Sequence, residues 1–204
     1  MRPGSLLVGA CALLVCAGSA MPQSLSGPTP SASSSAAQYL PPFRPLEKGK
    51  APGMKVQVLS STAGQKTYAV IFSTGDEVLA GLTEFAEEYH LGASKISGIG
   101  AISGATLGWL DLSRKMYRKI DINGQVEVLS LIGDIALFKG KPVIHAHMVV
   151  GYPDGTAHGG HLIEAYVRPT LEVIVTEYPN AMQKQADPAS GMALIHPNAE
   201  SSGK

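Results

Sequence analysis

Four of the six histidines fall within seventeen residues, as His145-Ala-His147, then His158, then Gly159-Gly160-His161. On a strand, residues i and i+2 share a face, so His145 and His147 would present two imidazoles side by side. Pro153-Asp154-Gly155 predicts a chain reversal, and a hairpin return can set His161 opposite that pair. Three neutral imidazoles converging on one point suit Zn²⁺, with a fourth position open for water. Imidazole also suits copper, nickel and iron, so the donor set does not fix the element. A bound ion can turn its water into a nucleophile or polarise a carbonyl. The competing reading is a set of half-exposed strand histidines that only hydrogen-bond.

Around this core lie secondary candidates. His158 could replace a ligand or act as a base, but its place beside two glycines reads best as loop. Gly159 and Gly160 permit a positive φ or a close approach of backbone or ligand. Glu127 and Glu172 fall on predicted strands and could orient a histidine or move a proton. The alternative for each is an ion pair with Arg168 or Lys95. Ile96-Ser97-Gly98-Ile99-Gly100 lacks the Gly-Lys-Ser/Thr ending of a phosphate loop and reads as tight backbone packing. Arg114, Lys115, Arg118 and Lys119 form a basic cluster near a strand turn, the place of a solvated edge. There is no Gly-x-Ser-x-Gly elbow. Both cysteines, Cys11 and Cys16, lie near the N-terminus and offer no thiol chemistry once that segment is removed.

Mostly strands must position these residues. Val56 and Val58 alternate with polar neighbours, and Tyr68 to Phe72 is a buried-strand run. Thr74 and Glu77 have capping-box spacing. Val78, Leu79, Leu82, Phe85, Ala86 and Tyr89 then recur at helical period, predicting a helix over 77–91 that stops at Gly92. Beyond it, strands are predicted over 96–102, 105–111, 116–122, 127–132, 143–150, 161–167 and 171–176. Asn123-Gly124 and Asp154-Gly155 are hairpin-turn signals. The pattern predicts an α+β fold, a mainly antiparallel β-sheet flanked by helices, in a single domain.

The ends of the chain read differently. Arg2, the apolar stretch 6–17 and Gly18-Ser19-Ala20 form the pattern of a secretory signal peptide, residues 1–20, cleaved after Ala20. Val8-Gly9-Ala10-Cys11 resembles a lipoprotein box, a less favoured alternative. Residues 21–53 are Ser-, Ala- and Pro-rich and read as an extended or disordered linker, with Tyr39, Leu40, Phe43 and Leu46 able to dock. The domain spans 54–180, and 181–204 reads as a polar tail. No segment after the leader is long and apolar enough to span a membrane. A secreted or periplasmic location follows. The sixteen basic and sixteen acidic residues balance, which counts against bulk electrostatic binding to nucleic acid.

Several motifs resemble one family when taken in order. They are Ser97-Gly98-Ile99-Gly100-Ala101, Leu110-Asp111, Glu127-Val-Leu-Ser-Leu-Ile-Gly133, His145-Ala-His147, Asp154-Gly155, Gly159-Gly160-His161-Leu162 and Thr170-Leu171-Glu172. Together they look like the PPC domain, the plants and prokaryotes conserved domain, over about residues 66–177. The resemblance implies an antiparallel sheet with helices, a homotrimer, and metal ligation by the residues matching His145, His147 and His161 near a subunit interface. In plants the domain accompanies AT-hook DNA-binding motifs; this chain has no Arg-Gly-Arg core, so that role is not carried over. It departs from the family pattern at His158, where an apolar residue is usual. A looser similarity to acetolactate decarboxylase, which binds zinc through an H-x-H pair and a later histidine, implies metal chemistry without transferring a substrate. Two readings stand: a zinc-dependent activity on a small carbonyl or ester-like molecule, and a non-catalytic trimeric binding module. DNA association is a distant third.

Overall fold

The computed structural model describes residues 38–62 and 64–197. The expected signal peptide, residues 1–20, and the first part of the expected linker lie outside the described residues. Strands come first and last in chain order: β1 Tyr39–Leu40, β2 Lys55–Thr62, β3 Gln65–Ser73, then helix α1 Val78–Glu88. Four long strands follow, β4 Ala93–Asp111, β5 Met116–Phe138, β6 Lys141–Gly151 and β7 Ala157–Glu177, and two short ones close the order, β8 Gln183–Ala186 and β9 Ala193–Ile195.

The four long strands pair in a ring. β4 pairs with β5 and with β7, and β6 pairs with both β5 and β7, all antiparallel. β3 extends the sheet from β7, β2 from β3, and β8 runs parallel to the end of β5. The sheet is therefore mainly antiparallel with one parallel junction. α1 is the one helix among the described residues, where flanking helices were expected.

Alternation explains how the strands bury one face. Along β6, Ala146, Met148 and Val150 are buried while His145, His147 and Val149 are exposed. The buried sides converge on one core that includes Phe72, Leu131, Met148 and Val173. α1 closes it with Val78, Leu82, Phe85 and Ala86, a stripe at helical spacing. Tyr68, Phe85 and Tyr89 meet edge-on or tilted at 4.8–5.3 Å between ring centroids, geometries that aromatic rings favour.

The helix start differs from the capping box expected at Thr74. Glu77 itself is the N-cap, and its carboxylate accepts from the backbone N–H of Leu79 (3.1 Å) and Ala80 (2.6 Å). It also accepts from the N–H of Ala165 on β7 at 3.0 Å. A long carboxylate reaches both the helix and the sheet, which the Thr74 hydroxyl does not. Gly92 is not the stop; Tyr89 is the C-cap and His90 takes the left-handed conformation at φ 55°.

Asn123-Gly124 does not turn the chain. The predicted strands on either side merge into β5, and Ile102↔Val126 with Gly104↔Asn123 leaves one extra residue on β5, a β-bulge. Gly124 has φ +86° and Gly155 φ +83°. The same local conformation is absorbed in one place by a long ladder and reverses the chain in the other. At Asp154-Gly155 the reversal is closed by Tyr152 N to Thr156 O at 2.9 Å.

The described parts of the flanking segments, 38–53 and 181–197, pack against the domain. Tyr39 and Leu40 pair with Arg118 and Tyr117, Phe43 stacks on Phe138 at 5.8 Å, and the Arg44 guanidinium donates to the Ile163 carbonyl. The expected polar tail carries β8 and β9, with Lys184 and Met192 buried. Tyr117, Ile163 and Met192, with Leu40 and Leu110 beside them, form a second apolar cluster outside the main core. Few but well-placed apolar side chains anchor segments whose average composition is polar.

Candidate metal centre

The close approach of His145, His147 and His161 follows from register. Lys139 and Gly140 both have positive φ, 52° and 77°, and form a two-residue hairpin in which Phe138 pairs with Lys141. Counting back from that turn sets Asp134 opposite His145 and Ile132 opposite His147. The Asp154-Gly155 turn then sets His161 opposite His147. His161 also faces Gly108 on β4, so the site sits where the ring of strands closes.

The three imidazoles form a near-equilateral group, with centroids 5.3, 5.4 and 5.4 Å apart. One nitrogen from each lies within 4.8 Å of the other two. The His161 ring stacks on Tyr117 at 4.4 Å and 6°. Its Nδ1 is buried without a hydrogen-bond partner, an arrangement that leaves a polar atom to be satisfied by something else. Burial, with the positive charges of His145, His147 and Lys184 added, pushes the His161 imidazole down to about 3. Burial and His145 also lower His147. Both therefore keep a free lone pair at neutral pH, the state a metal requires. The donor set fits a divalent ion.

Glycines make the close approach possible. A Cβ on Gly133 would run into the His145 carbonyl oxygen and would lie 2.8 Å from Ala146 Cα. A Cβ on Gly160 would sit 2.8 Å from the Gly108 carbonyl oxygen. Gly159 and Gly160 therefore serve close backbone approach, and neither has a positive φ.

Two further residues complete the site and were not singled out from sequence. Asp134 Oδ2 lies 3.4 Å from His145 Nδ1, which leaves the His145 Nε2 lone pair for a metal. Lys184 Nζ lies 3.1 Å from Asp134 Oδ1. Burial opposes ionisation of Asp134, but His145 and Lys184 together hold its carboxyl below the usual range. The Lys139-Gly140 turn was the available signal for Asp134. Nothing local marks Lys184, which arrives from the C-terminal segment.

The other sequence candidates lie elsewhere. His158 is in β7 and exposed, 5.1 Å from the Tyr152 ring, and is not one of the three. Glu127 and Glu172 line a separate surface depression with Ile99, Gly100 and Leu129. The structure does not bring them beside the histidines, because Glu127 pairs with Gly151, four residues along β6 from His147, and Glu172 pairs with Ile99 and Ile71. The histidines border a cavity of about 480 Å³ whose walls include Trp109 and Tyr117, with Phe43, Met192 and Leu194 from the two ends of the chain.

The fold is a mainly antiparallel, ring-paired sheet sealed by one helix among the described residues, and its three clustered histidines could hold a metal ion. The chain belongs to the Plants and Prokaryotes Conserved (PCC) domain family, which matches residues 59–179. A metal-containing protein from Archaeoglobus fulgidus is 30% identical, with a TM-score of 0.60, the match covering 70% of this chain and 97% of that one. A plant- and prokaryote-conserved protein from Pyrococcus horikoshii is 26% identical, TM-score 0.61, covering 72% and 97%. A Bacteroides thetaiotaomicron protein provisionally described as DNA-binding is 26% identical, TM-score 0.63, covering 69% and 96%. No curated protein sequence matches the chain.

Proposed function

We propose that this chain is an exported PCC-domain protein that holds one divalent metal ion, zinc, on His145, His147 and His161. The observation that carries the reading is the convergence of three imidazole nitrogens within 4.8 Å, one ring having a buried and unpartnered Nδ1. Three neutral nitrogen donors on a half-open face are the donor set of a zinc site that keeps a position for a ligand. When bound, the ion would supply Lewis-acid chemistry toward a small carbonyl or ester oxygen. The chain's own contributions are distinct: Asp134 orients His145, Tyr117 holds the His161 ring flat, and Lys184 keeps Asp134 ionised. Elemental analysis of the full chain, purified without a polyhistidine tag, tests this. About one zinc per chain is expected, lost in the H145A/H147A variant; unchanged metal content in that variant would refute the site. The metal-containing relative from Archaeoglobus fulgidus is in keeping with this reading.

Self-association, as a homotrimer, is a second proposal with its own support. Ile174, Ser97 and Ile132 lie in one row across β7, β4 and β5, and Ile132 is next to His147. Ile99, Leu129, Ile132, Val149 and Ile174 are all exposed, an apolar surface of the kind that marks an interaction site. Light scattering tests it. Export is tested by sequencing the N-terminus of the mature protein, expected to begin after Ala20. DNA binding is not proposed. Arg114 is engaged by Asp111, Lys119 by Asp121, Lys115 by the Pro188 carbonyl, and Arg118 lies over Trp109.

A further inference from the structure

The cavity over the histidines has features that neither the family match nor the metal reading uses. The matched family region ends at residue 179 and begins at 59, yet Pro42 and Phe43 on one side and Lys184 and Met192–Leu194 on the other line this cavity. The chain supplies its own walls from outside the domain that carries the ligands. These walls are anchored rather than draped. Met192 is buried against Tyr117 and Ile163, with the Tyr117 hydroxyl 3.8 Å from its sulfur, and Asp187 N pairs with the Met192 carbonyl at 2.8 Å. Phe43 stacks on Phe138, and the Lys119 N–H donates to the Gln38 carbonyl.

The lining has a definite chemical bias. Among the described residues of the lining, Lys184 is the one Lys or Arg, and there is no carboxylate. Lys184 is only 7% exposed, so its ammonium works in a medium where charge is screened less than in water. Asp134 already balances Lys184, and three neutral imidazoles would leave a divalent ion with its charge uncompensated. The described lining therefore supplies no counter-charge of its own, which favours an anionic ligand. The remaining walls are apolar: Phe43, Trp109, Ile144 and Leu194 among them. A volume of about 480 Å³ is within the range of small-molecule sites.

We infer that this cavity binds a small organic anion with an apolar body, its charged head toward the histidines and Lys184 and its body against Trp109 and the chain-end residues. The inference rests on the metal reading for the head-group attraction, and it assigns specificity to segments outside the PCC domain. Trp109 and Leu194 determine preference for the body; both line the cavity, and neither belongs to the three-histidine group that would hold the metal. A free monocarboxylate without an apolar body would satisfy the charge alone and bind more weakly.

Calorimetry on the zinc-loaded full chain tests this with phenylacetate, acetate and the neutral phenylacetamide as probes, zinc content being measured on each sample. Phenylacetate is expected to bind at least about tenfold more tightly than either of the other two, since ring burial and charge each contribute about 1.4 kcal/mol or more. The W109A and L194A variants should lose most of the preference for phenylacetate over acetate while retaining full zinc content. Equal affinities for phenylacetate and acetate, equal affinities for phenylacetate and phenylacetamide, or an unchanged preference in both variants would overturn the inference and leave the metal site standing. A chain that takes up no zinc would overturn the metal reading first, and this inference with it.

Discussion

β6 has two faces that obey different rules. Ala146, Met148 and Val150 point into the core and are sealed by α1 and the neighbouring strands, whereas His145, His147 and Val149 point outward. The inner face is held by volume, with many weak contacts and no polar atoms to satisfy. The outer face is held by register, because three rings must arrive together from two strands and one of them brings an unpartnered Nδ1. A single backbone thus carries core packing on one side and the candidate metal ligands on the other, one residue apart. Mutations should separate the two, which gives the comparison its tests.

The largest effect is expected on the inner face. Phe85 is fully buried and is the centre of the aromatic contact with Tyr68 and Tyr89. F85A should cost about 3–5 kcal/mol in urea unfolding, while the fraction that remains folded keeps its full zinc content. Loss of zinc from folded F85A protein would break the separation of the faces.

G133A should cost less, about 1–3 kcal/mol, but should act on both faces. Its new methyl group would strike the His145 carbonyl and Ala146. Ala146 is a core residue lying between the two histidines, so the displacement moves both rings. Reduced zinc content together with reduced stability is expected from unfolding curves and elemental analysis on the same preparation. Unchanged zinc would mean that the site tolerates a shift of β6 and that the register of β5 and β6 does not set it.

Outer-face apolar residues provide the opposite case. Ile132 is 56% exposed and adjoins His147 across the ladder. I132S should change the stability of the chain by no more than about 0.5 kcal/mol, yet it should lower the native mass if this face joins copies of the chain. Light scattering at several concentrations distinguishes the outcomes. A wild-type monomer, or an oligomer indifferent to I132S, would move the interface elsewhere.

The same contrast explains what could be read from the sequence. The inner face was legible because alternation and helical period are local: the helix and the Asp154-Gly155 reversal appear where expected, and the strand runs appear too, although 96–102 with 105–111, 116–122 with 127–132 and 161–167 with 171–176 are each joined into one long strand, β4, β5 and β7. The three histidines were legible because i, i+2 spacing and one turn suffice to bring them together. Asn123-Gly124 does not turn because pairing of both flanks with β4, and of residues 127–138 with β6, is a long-range effect that overrides a turn dipeptide. Asp134 required the register of the β5–β6 hairpin, for which Lys139-Gly140 was a weak signal. Lys184 and the other chain-end residues of the cavity required tertiary packing. Their segments are polar on average, and only a few side chains, such as Met192 and Tyr39, fix them in place.

The smallest effect lies at the turn between β4 and β5, where the outer face meets the N-terminal segment. Asp111 accepts from the Ser113 hydroxyl at 2.6 Å and, at 2.8 and 3.1 Å, from the Arg114 side chain and backbone N–H, and the Tyr39 hydroxyl lies 3.4 Å away. The Ser113 hydrogen bond, opposed by burial and reinforced by Arg114, holds its carboxyl down at about 2, against an ordinary 3.8. Because the folded form gives up this proton more readily than the unfolded form, its stabilising contribution is present above the ordinary value. It is lost as pH falls from 3.8 toward 2. D111N should therefore flatten the acid limb of the stability curve in that window by a small amount, with little change in the inner core. Since Tyr39 is also tied to this carboxylate, the variant should loosen the segment that carries Phe43 to the cavity, seen as faster hydrogen exchange at Tyr39 and Leu40. An acid limb identical to that of the wild type would show that the turn's hydrogen bonds persist without the charge.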